Sequence, residues 1–102
     1  MKYIINRQTG KKLTYEEGYQ LVKKLSTFLN KDDILFIKSV SFPSEKLAKQ
    51  SAKSIVKERA NYILGFSGID SHKEGYNAIV IMFKVLPKNF EIIFQNNVIL
   101  GD

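Results

Sequence analysis

The sequence predicts an α+β fold: a single domain in which two helices pack on a mixed four- or five-stranded sheet. Three observations carry this. The chain has 102 residues, near the modal size of one domain and too short for two independently stable cores. Its balance of 44% hydrophobic, 25% charged and 12% aromatic residues is that of an ordinary globular chain. Apolar residues recur with alternating strand and helix periods and then with strand periods alone, an order β-α-β-α-β-β(-β) that closes in a C-terminal antiparallel meander.

Lys2 to Asn6 reads as the first strand, followed by the polar turn Gln8-Thr9-Gly10-Lys11-Lys12. Thr14 with Glu17 three residues later forms a capping-box pattern, and Leu21, Val22, Leu25, Phe28 and Leu29 repeat at helical spacing up to a stop at Asn30. Ile34 to Ser41 alternates as a second strand. Ser44 caps a second helix after Pro43, with Glu45 in its first turn, and the helix runs to about Tyr62. Gly65 to Gly75 reads as a glycine-containing loop, and Tyr76 to Leu86, apolar on both faces, as an interior strand. Phe90, Ile92 and Phe94 alternate with polar neighbours as a further strand, and Gln95-Asn96-Asn97 turns into Val98-Ile99-Leu100. Parallel pairing of the first three strands is compatible with right-handed crossovers, whereas the closing hairpins require antiparallel neighbours.

Composition excludes several function classes. There is no cysteine, so disulfides and thiolate-bound zinc are excluded, which suits a reducing compartment. The Met1–Ile5 start lacks the apolar core of a secretory signal, and the longest apolar run, Ala78–Phe83, is far too short to cross a bilayer. A cytoplasmic protein with no membrane partner is the expectation. The net charge is +6, unevenly placed. Residues 1–62 hold eleven lysines, two arginines and six acids, a net +7, whereas residues 63–102 hold three lysines and four acids, a net −1. Such asymmetry points to an anionic partner, nucleic acid or an acidic protein surface.

The sharpest candidate site lies on the second helix. At 100° per residue, Ala48, Ala52, Ile55, Val56 and Ile63 fall on one side and Lys46, Lys49, Lys53 and Lys57 within a narrow arc opposite. A phosphate backbone fits such a stripe, and a solvated outer helix face is the plainer alternative. Lysine has no fork to read base edges, so the stripe positions a polyanion rather than specifying a sequence. Lys11 and Lys12 join it as candidates, because their turn precedes a helix N-terminus. The spacing of a phosphate-binding loop is absent there, with Ile5 and Lys12 at the deciding positions. Arg59 projects into the apolar face of the second helix and calls for an escape to water or a carboxylate such as Glu91. Tyr15 and Tyr19 flank the first helix's apolar stripe, placed for stacking or for covering the core rim.

The Gly65–Gly75 segment gathers the groups capable of chemistry: the lone His72, with Asp70 or Glu74 to orient it and Ser67 or Ser71 as hydroxyls. The Gly-x-Ser-x-Gly elbow is absent and no metal site is expected, so a polar loop is the simpler reading. Within it, Ile63 to Gly68 resembles the glycine-x-x-glycine loop of the KH module in spacing alone, because Phe66 and Ser67 replace the basic residues between the glycines. The plainer alternative is a helix C-cap at Gly65 and a turn at Gly68. Three functions follow as expectations. The first is a small basic, non-enzymatic protein that contacts nucleic-acid phosphates and needs no cofactor. The second is a protein-interaction module, such as an inhibitor or accessory factor of a mobile element, with homodimerisation through an exposed sheet edge at Phe90–Gln95 or Val98–Leu100. The third is a small nuclease-like enzyme using His72.

Overall fold

The computed structural model describes residues 1–102. Five strands, β1 (Lys2–Asn6), β2 (Ile34–Lys38), β3 (Ile63–His72), β4 (Gly75–Phe83) and β5 (Val98–Gly101), form one sheet in the order β2-β4-β3-β1-β5. Only β1 and β3 run parallel, and the other neighbours are antiparallel. The mixed sheet and the α+β class are as the sequence predicts. β3 and β4 form an antiparallel hairpin, and β5 returns to pair antiparallel with β1.

The two long helices, α1 (Tyr15–Leu25) and α2 (Glu45–Glu58), cover opposite faces. Strand alternation explains this. In β4, Ile79, Ile81 and Phe83 enter the larger core with Leu21 and Leu25 of α1, while Ala78, Val80 and Met82 enter the smaller one with Ala52 of α2. β4 thus lies between two helices and is apolar on both sides, as an interior strand must be.

Five expected elements differ. Gly65–Gly75 is not a loop: β3 occupies it as far as His72, with only Lys73 and Glu74 left for the turn. Gly65 and Gly68 mark crowding rather than turning. A methyl group at Gly65 would overlap the Phe83 ring, and one at Gly68 would lie 2.5 Å from the Phe66 ring. The proposed strand over Phe90–Gln95 is instead a short helix, α3 (Phe90–Ile93). Phe90 and Phe94 share the buried side at helical spacing, while Ile92, which a strand would place beside them, is 72% exposed. Gln95 and Asn96 then adopt φ of 53° and 60°, the left-handed turn that delivers β5. α1 stops at Leu25, short of Asn30, and α2 stops at Glu58, short of Tyr62. β2 ends at Lys38, although the chain meets β4 again through paired hydrogen bonds between Phe42 and Tyr76.

Gly18 sets the seat of α1. It is buried against the Phe66 ring, where a Cβ would lie 2.6 Å from Cγ. Alanine normally improves a helix interior over glycine by about 1 kcal/mol. Here the substitution Gly18→Ala is expected to lower the melting temperature, because the helix must lift from the sheet to clear the ring. A rise measured by thermal unfolding would show that the seat is soft.

Candidate functional site

α2 is built as the sequence suggests. The Ser44 hydroxyl accepts from Leu47 N–H (3.3 Å), and Ala48 and Ala52 turn inward. Small residues let the helix lie close to the sheet, so the polar side faces outward. Lys46, Lys49 and Lys53 line an open depression of about 440 Å³ with Glu45 and Gln50 and no apolar side chain. Lys57 follows one turn further, also exposed. Lys49 is paired with Glu45 at 3.1 Å, whereas Lys46, Lys53 and Lys57 have no carboxylate within salt-bridge range. From Lys46 to Lys57 the helix rises about 16 Å, some five base-pair steps along a duplex.

The loop lysines are placed differently. Lys12 holds its ammonium 4.5 Å from the Tyr3 ring centre. Tyr3 packs with the smaller core, so Lys12 stands on the same side of the sheet as α2. Lys11 is exposed on the turn, and nothing joins it to the stripe. The turn offers little to an anion through its backbone: Asn6 Oδ1 accepts from Gln8 N–H (2.9 Å) and Thr9 N–H (3.2 Å), and Asn6 O accepts from Gly10 N–H. Arg59 is the α2 C-cap, its guanidinium donating to Ile55 O (3.3 Å) beside Glu58, while Glu91 is taken by Arg7.

The groups that lie near His72 in sequence separate in the fold. Asp70 reaches Lys38 across the sheet (3.7 Å), and Glu74 offers His72 Nδ1 its backbone N–H (3.3 Å), not its carboxylate. The other ring nitrogen, Nε2, bonds to Asn77 Oδ1. Asn77, a buried polar residue that the sequence reading passed over, donates to Ser39 O (2.8 Å), and Ser39 Oγ accepts from Ala78 N–H (2.7 Å). These bonds tie the exit of β2 to β4 and leave no buried polar side-chain atom unsatisfied. No cluster of three metal-ligating side chains occurs in the fold.

The chain matches no protein-family model, no curated protein and no solved structure. The site therefore rests on its own geometry.

A cleft of about 300 Å³ lies beside α1, with Leu13, Leu21, Phe94 and Val98 as its apolar floor and Asn6 and Glu17 on its rim. Glu17 accepts from Asn6 Nδ2 (2.6 Å) and from Thr14 N–H (3.2 Å), while Thr14 Oγ1 accepts from Glu17 N–H, which completes the capping box. The Asn6 bond, followed by the Thr14 backbone bond, holds the Glu17 carboxyl below the usual carboxylate range, and partial desolvation opposes them. A carboxyl lowered on folding contributes stability above its unfolded value and loses it as pH falls through its folded value. Glu17→Gln is therefore expected to destabilise the protein at neutral pH and to cost progressively less below about pH 4. Urea unfolding of both proteins at neutral and acid pH checks this, and a gap that persists at acid pH would overturn it.

Proposed function

We propose that this is a small basic binding protein that contacts nucleic-acid phosphates through the outer face of α2. The observation that carries the reading is the row Lys46, Lys49, Lys53 and Lys57, exposed along one helix face with a single carboxylate partner among them. Like charges at this spacing repel one another, and a polyanion relieves the repulsion while releasing its own counterions. Lys12, on the same side of the sheet, extends the positive surface toward β1. The contact is to backbone phosphate, with little discrimination among base sequences.

The test is fluorescence anisotropy of labelled single- and double-stranded DNA and RNA at low and near-physiological salt. Micromolar binding that weakens steeply with salt is the expected result. Absence of binding at low salt would make the lysine face a solubility feature.

A further inference from the structure

The sheet ends on one side in β2, and the fold leaves that edge open. Ser39 N–H donates to Ala78 O (2.9 Å) and Asp33 O accepts from Lys84 N–H (2.8 Å), so the odd-numbered residues of β2 exchange hydrogen bonds with β4. The two orientations alternate along an antiparallel strand. The N–H and C=O groups of Phe36 and Lys38 and the C=O of Ile34 therefore point outward, while the Ile34 N–H is held by Lys31 O. Edge strands are commonly guarded by a charge projecting past them. Lys38, the one charged residue of β2, is instead drawn over the sheet toward Asp70. On that same face Phe36 is 57% exposed and, with Tyr15 and Tyr19, rims an apolar groove of about 50 Å³ floored by Phe66, Ile79 and Ile81.

We propose that β2 is a dimerisation edge and that its occupant is β2 of a second copy of this chain. Antiparallel pairing centred on Phe36 fits these groups: Phe36 exchanges both hydrogen bonds with Phe36 of the second copy, and Lys38 N–H donates to Ile34 O in each direction. The charges favour the same orientation. Asp32 and Asp33 stand at the start of the strand and Lys38 at its end, so each acidic end meets a basic one, whereas parallel pairing would align like with like. The two-fold axis stands normal to the sheet, and the two Phe36 rings meet on the α1 face, where each extends the other's apolar groove. The opposite edge is less suited. β5 turns outward only the backbone groups of Val98 and Leu100, whose side chains pack in the larger core. Such a dimer also brings both α2 lysine faces to one side of a continuous sheet, a consequence on which the pairing does not depend.

Sedimentation equilibrium of the full chain without nucleic acid, from micromolar to millimolar concentration, reads the result directly. The mass is expected to rise from 11.7 kDa toward twice that value. Phe36→Lys, which sets like charges against each other on the two-fold axis, is expected to hold the mass at the monomer. Phe36→Pro is expected to do the same, because it removes an N–H that β4 does not use. Ile92→Lys, at an exposed position on α3, is expected to leave the dimer intact. Hydrogen exchange supplies a readout that needs no variant: the Phe36 and Lys38 amides gain protection as concentration rises. A monomer at every concentration would overturn the proposal, as would a dimer that survives in folded Phe36→Lys, or edge amides indifferent to concentration. An extended peptide binding β2 of a chain that stays monomeric would assign the edge to another occupant and equally overturn it.

Discussion

Glutamine in place of Lys46, Lys49, Lys53 and Lys57 together is expected to weaken binding to DNA or RNA by about two orders of magnitude at low salt, and to flatten the salt dependence by about three to four units of slope. The slope is the more informative quantity, because each lysine that neutralises a phosphate releases counterions and adds nearly one unit. Glutamine resembles lysine in helix propensity, so α2 should persist and circular dichroism should not change. The variant also lowers the net charge from +6 by four, which alone reduces attraction to any polyanion. A matched control separates the two effects. Lys23, Lys31, Lys84 and Lys88 are exposed and lie outside α2, and replacing them by glutamine makes the same change in net charge. Should the control weaken binding as much as the α2 variant, general charge rather than the helix face would be responsible. Should only the α2 variant lose affinity, α2 is the contact.

The lysine face was legible because it depends on local rules alone. Ser44 as N-cap, small alanines at 48 and 52 and lysines at helical spacing determine which way α2 turns, whatever the sheet beneath it. The strands were legible where alternation was clean, as in β1 and β2. β3 was missed because its glycines carry the usual signal of a turn, whereas in the fold they make room for the Phe66 and Phe83 rings, and that information lies in distant residues. α3 was missed because apolar residues at 90, 92, 93 and 94 satisfy both periods, and only burial of Phe90 and Phe94 decides between them. The His72 cluster failed for a related reason. Once residues 63–72 form a strand, Ser67 and Ser71 face away from His72, and Asp70, on the same face as His72, is engaged by Lys38. The open edge of β2 was beyond reach, since strand order is a property of the whole sheet.

The largest effect on stability is expected at Phe83. The side chain is fully buried at the end of β4, aligned with Ile34 of β2 on one side and Ile63 of β3 on the other. Phe83→Ala removes a ring from the centre of the larger core, and truncations of this kind cost about 3–5 kcal/mol. Against a total stability of about 5–15 kcal/mol for an ordinary domain, that is a large share. At about 4–8 °C per kcal/mol for a chain of this size, the melting temperature is expected to fall by some tens of degrees. The ring also explains Gly65, since a Cβ there would occupy the same space. Gly65→Ala should therefore be destabilising in the wild-type protein and much less so beside Phe83→Ala, where the cavity accepts the methyl group. A double-mutant cycle by urea unfolding measures that coupling. Additivity within about 0.5 kcal/mol would mean that the ring does not impose the glycine, and that the bulge between Leu64 and Phe66 has another cause. A large coupling would identify Gly65 and Phe83 as one packing unit, the point at which β3 yields its side chain so that β4 can keep its own.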